Sequence, residues 1–85
     1  MITEADVVVN KIFQGRDKNL RQILWVGQSR MPPYEMSAQY DSNTLRAGRH
    51  YPKTTMAAFL KWARRDVTGL VDEYWNLAED KHGET

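Results

Sequence analysis

The stretch TTMAAFLKWARRDVTGLVDEYWNLAE, residues 54–79, decides the architecture of this chain. Met56, Leu60, Ala63, Val67, Leu70, Tyr74 and Leu77 recur at alternating spacings of four and three, a heptad seam. Phe59, Val71 and Ala78 widen the seam into a stripe, and Thr54 or Thr55 supplies a cap before Met56. The pattern predicts one long helix over 56–79, with Gly69 on its solvated side at a cost of about 1 kcal/mol relative to alanine. Such a helix spans ~36 Å, more than the ~24 Å given by twice the expected radius of gyration of a domain this size. The far end of the stripe would then overhang its sheet and need cover from a second surface. The competing reading breaks the helix at Thr68 and Gly69 and folds the last part back.

Upstream of that stretch the pattern is that of strands. In YEMSAQYD (34–41) Tyr34, Met36, Ala38 and Tyr40 alternate with polar residues, the period of a half-buried strand. RQILWVGQ (21–28) carries four apolar residues in a row, as a strand covered on both faces does. Pro32 and Pro33 between them have no amide hydrogen to donate and interrupt the ladder, making the two strands antiparallel neighbours. Residues 3–13, TEADVVVNKIF, read two ways. Thr3 with Asp6 resembles a helix start, whereas three consecutive valines favour a pleated surface. The strand, from about Asp6 to Phe13, is the preferred reading. AGRHYPK (47–53) adds a short fourth strand ended by Pro52. The expected fold is α+β: a small antiparallel sheet of three to four strands packed against a long C-terminal helix, forming one domain over 1–80 with a frayed tail at 81–85.

Composition narrows the classes. An 85-residue chain buries only about 60–65% of the surface its unfolded form exposes. It has no cysteine, so neither disulfides nor thiolate metal sites reinforce it, and association is the remaining route to a larger core. No apolar run approaches a membrane span, and the acidic MITEAD start is unlike a signal peptide. A cytoplasmic protein without membrane contact is expected. Catalysis has no foothold: the histidines are His50 and His82, the glycines are scattered, and no nucleophile or ligand spacing stands in a catalytic or metal-binding context. The reading is of a non-enzyme without cofactor or metal.

Charge is polarised along the chain. Residues 44–65 hold Arg46, Arg49, Lys53, Lys61, Arg64 and Arg65 and no acid, whereas 66–85 hold six acids against Lys81. On a helix Lys61, Arg64 and Arg65 fall within an arc of about 100° opposite the seam, beside Ala57 and Ala58. That smooth cationic face and the loop before it suit phosphate contacts. The plainer account is a core helix with a charged exterior. Trp25, Tyr34, Tyr40, Phe59 and Trp62 recur at element periods and read as core, with Trp75 the aromatic expected at the surface.

The segments DVVVNKIFQG, RQILWVG, AQYDS and FLKWA, in that order, resemble small bacterial and phage domains of unknown role that are built as a short SH3-like strand meander ending in a helix. The resemblance implies a small interaction module and transfers no catalytic residue. The function expected is therefore that of a non-enzymatic protein-interaction module, a homodimer or partner-binding small protein, burying Val71, Tyr74, Trp75, Leu77 and Ala78. The alternative is a nucleic-acid-binding protein using Arg46, Arg49, Lys53, Lys61, Arg64 and Arg65.

Overall fold

A computed structural model describes residues 1–45 and 50–78. After a single 3-10 turn at Glu4–Asp6, the chain forms β1 (Ile12–Gly15), β2 (Leu20–Gln28), β3 (Met36–Ser42), β4 (Lys53–Thr55), α1 (Met56–Trp62) and β5 (Ala63–Asp66). The five strands make one antiparallel sheet in the order β4-β3-β2-β1-β5. The fold is thus α+β, with one strand more than the three to four expected and a much shorter helix. The expected tail at 81–85 lies outside the described residues.

The helix begins where the sequence places it. The Thr55 hydroxyl accepts from the Ala58 amide at 3.1 Å, closing the first turn. It ends after two turns, because Ala63 leaves helical geometry with ψ near 138° and continues as β5. This overturns the 56–79 helix. The cause is β1, whose open edge offers unpaired amides and carbonyls that β5 satisfies through Phe13–Asp66, Gln14–Arg65 and Gly15–Ala63. The Lys11–Asp66 ion pair at 3.2 Å and the Ile12 amide donating to the Thr68 hydroxyl at 2.9 Å extend that junction. The chain then reverses at Gly69, where φ is +85°, and Val71 bridges back to Leu77. Asp72 closes the intervening turn by accepting from the amides of Tyr74 and Asn76, both at 2.9 Å.

Other boundaries shift for local reasons. Asn10 sits at φ +78°, so β1 starts at Ile12 rather than near Asp6, and Val7 alone of the three valines enters the core. Tyr34 has φ +59°, which delays β3 to Met36. Pro52 does not end β4 but precedes it, its carbonyl accepting from the Tyr40 amide at 3.1 Å.

Two apolar clusters hold the layers together. Val7, Phe13, Ile23, Ala38, Met56, Phe59, Trp62 and Ala63 pack between sheet and helix, with Phe13 and Phe59 edge to face at 5.6 Å. Leu20, Val67 and Leu77 form the second, with Ile12, Val71 and Trp75 against it. Trp62 locks α1 to the β1–β2 turn: its indole N–H donates to Asp17 Oδ1 at 2.9 Å, and its carbonyl accepts from the Arg16 amide at 3.0 Å. The Arg21 guanidinium carbon lies 4.1 Å from the Trp62 ring and 4.3 Å from that of Tyr40. Among the described residues no helix is long and apolar enough to cross a membrane.

Asp17 makes this lock sensitive to acid. Burial works against its carboxylate, but the hydrogen bonds from Trp62 and Asn19 outweigh it and hold the carboxyl below its ordinary 3.8. A depressed folded-state pKa contributes stability above the unfolded value, and that stability is lost as pH falls through the folded one. Asp17→Ala should therefore lower the thermal midpoint most at neutral pH, the gap from wild type closing below about pH 3.8. A gap independent of pH would show that the charge on Asp17 contributes nothing.

Candidate ligand groove

The outer face of β2, β3 and β4 carries the site. Trp25, Gln39 and Lys53 stand opposite one another in a single row across the three strands, and Gly27, Ser37 and Thr55 form the next row. What turns Trp25 outward is a bulge: β2 pairs Ile23 with Tyr40 and then Trp25 with Gln39, leaving Leu24 as the extra residue. Without it Ile23 and Trp25 would share a face. With it Ile23 is fully buried, Val26 pairs with the buried Ala38, and Trp25 emerges 36% exposed.

Trp25 packs beside Gly27, where a Cβ would come within 2.4 Å of the ring. The Lys53 amine is 4.9 Å from the ring centroid, a cation–π contact at the surface. Around this pair opens a groove of about 630 Å³, lined also by Gln28, Ser29, Arg30 and Met31 from the β2–β3 connection. Its charged lining is Arg30 and Lys53, with no carboxylate among the described residues that form it. Two glutamines tie the flanking segments down. Gln28 Nε2 donates to the Tyr34 carbonyl at 2.9 Å, and Gln39 Nε2 to the Tyr51 carbonyl at 3.1 Å. Tyr34 and Tyr51 are themselves about half exposed, at 53% and 48%.

The residues singled out from sequence are dispersed. Lys53 lines the groove. Lys61 is exposed on α1, whereas Arg64 and Arg65 belong to β5, the edge of the sheet opposite β4. Arg64 donates to the Lys61 and Ala63 carbonyls at 2.7 and 3.1 Å, capping the end of α1, and Arg65 Nε donates to Gln14 Oε1 at 2.8 Å. Arg46 and Arg49 lie outside the described residues. Of the distal stripe, Leu77 is buried and Val71 and Trp75 are partly buried against the second cluster, whereas Tyr74 and Ala78 are exposed. Among the described residues no group of three or more His, Asp or Glu side chains is placed to hold a metal ion.

Trp25, Arg30, Met31 and the two glutamines were not legible as a site. One signal was present: four consecutive apolar residues cannot all face a single core, and Gly27, two positions beyond Trp25, leaves room for a ring laid along the same face. Comparison of the chain with protein-family models, with curated proteins and with solved structures returns no match.

Proposed function

We propose that this chain is a non-enzymatic binding module that holds single-stranded nucleic acid in the groove around Trp25. The row Trp25–Gln39–Lys53, with Arg30 beside it and no carboxylate in the described lining, carries the reading. An aromatic face for a base next to cations for phosphates is the combination that sequence-tolerant single-strand binding uses.

The test is a fluorescence anisotropy titration with mixed-sequence single-stranded DNA and RNA at low salt. Binding with Kd on the order of 10 µM, weakening as salt rises, is expected. No binding at low salt overturns the reading. Capture of an extended peptide in the same groove would replace it with a protein-recognition module.

A second reading keeps the protein interface. Tyr74 is 75% and Leu70 42% exposed at the turn after β5, an apolar pair that a second copy of the chain would cover. Light scattering over a concentration series decides it, since a constant monomer mass removes the homodimer.

A further inference from the structure

We propose that the protein carries a second nucleic-acid contact, independent of the groove: a phosphate-binding rim at the β5 edge of the sheet, formed by Arg16, Lys18, Lys61 and Arg64, that takes the backbone of a double helix. The four residues are exposed and come from two distant segments, the β1–β2 turn and the junction of α1 with β5. Hydrogen bonds fix these segments side by side. The Arg16 amide donates to the Trp62 carbonyl at 3.0 Å, and Gly15 stands opposite Ala63. The Lys18 amide closes its turn on the Gly15 carbonyl at 2.9 Å, and Arg64 Nη1 reaches back to the Lys61 carbonyl at 2.7 Å. Among the described residues the charged groups of Arg16, Lys18 and Lys61 have no hydrogen-bond or ion-pair partner, and the bonds of Arg64 run to neutral carbonyls. Asp17, the one acid in segments 14–21 and 61–65, already accepts from the Trp62 indole and the Asn19 amide.

What the rim lacks identifies its partner. Its aromatic residue, Trp62, is 5% exposed under the Arg21 guanidinium, so a base has no ring to stack on. No large apolar side chain of residues 14–21 or 61–66 is exposed, so a protein partner finds no anchor there. Charge alone is left to recognise the ligand. A double helix presents it most densely, one phosphate charge per ~1.7 Å of axis against ~3.4 Å along a single strand, with its bases turned inward.

The test is an NMR titration of the isotope-labelled full chain with a short blunt DNA duplex, whose paired bases are withheld from Trp25. At low salt the resonances of residues 14–19 and 60–66 should shift, with Kd on the order of 10 µM and a slope of log K against log salt of roughly −3.6, four contacts of about 0.9 each. Arg16→Ala, Lys18→Ala and Lys61→Ala should each flatten that slope by about 0.9, whereas Lys18→Arg, which keeps the charge, should retain it. Shifts confined to residues 25–31 and 53–55 would put the duplex in the groove and overturn the rim. No duplex binding at low salt would overturn it as well. Poly-glutamate moving the same resonances with equal affinity would overturn the nucleic-acid assignment and make the partner an acidic protein. None of these results decides the single-strand reading of the groove, which stands or falls on Trp25.

Discussion

Gly15→Ala is expected to destabilise the fold by about 3–4 kcal/mol, from overpacking of 1–3 kcal/mol together with a weakened buried hydrogen bond. The position is demanding because of space. A Cβ on Gly15 would lie 1.9 Å from Trp62 Cε2 and 2.3 Å from Nε1, whereas carbon atoms in contact sit at about 3.5–4.0 Å. The ring cannot yield cheaply. Trp62 is 5% exposed, donates to Asp17, rests 5.5 Å from Phe59 and is covered by Arg21. Moving it unfastens α1 from the β1–β2 turn and disturbs the β1–β5 pairing, where Gly15 itself stands opposite Ala63.

A chain of 85 residues has only about 4–13 kcal/mol of stability, so this loss is a large share and should lower the thermal midpoint by roughly 15–30 °C. Two controls isolate the cause. Gly27→Ala also drives a Cβ into a tryptophan, at 2.4 Å, but Trp25 is at the surface and can swing away, so the cost should stay near 1 kcal/mol or below. In a Trp62→Phe background, which removes the indole atoms nearest Gly15, the same alanine should cost under about 1 kcal/mol more. Equal costs in both backgrounds would place the origin in the backbone of Gly15 and sink the steric account.

The difference between what was legible and what was not follows from range. The Thr55 cap, the alternation of β3 and the apolar run of β2 are local properties, and each was readable within two or three residues. The helix length was not. Spacings of three and four report that one side of a segment is apolar, but not which backbone conformation delivers that side. Val67 and Leu77 do reach the interior, as the seam required, yet they do so from a strand end and a return bridge. What converts Ala63–Asp66 from helix to strand is the open edge of β1, some fifty positions away, and Ala-Arg-Arg carries no local mark of it. Trp25 escaped for a related reason. The Leu24 bulge exists only in the pairing of β2 with β3, so neither strand alone announces which way the tryptophan faces. The basic cluster was legible as composition but not as a surface, because β4 and β5 carry Lys53 and the two arginines to opposite edges of the sheet.

Trp25→Ala should weaken single-strand binding by about 5- to 150-fold, the 1–3 kcal/mol that one base–aromatic stack contributes. The protein should remain folded, since the ring lies outside the core on Gly27 and its nearest cation, Lys53, is solvent-exposed. The informative part is how the loss divides from the electrostatic one. Each phosphate contact to a single strand contributes about 0.7 to the slope of log K against log salt, so Arg30 and Lys53 together give roughly 1.4. Trp25→Ala removes stacking without removing charge and should leave that slope intact, lowering affinity by the same factor at every salt concentration. Lys53→Ala and Arg30→Ala should each flatten the slope by about 0.7 and cost most at low salt. Trp25→Phe, which retains an aromatic face, should recover much of the affinity. If instead Trp25→Ala changes nothing while Lys61→Ala or Arg65→Ala flattens the slope, the ligand runs along α1 and β5, and the groove is not its site.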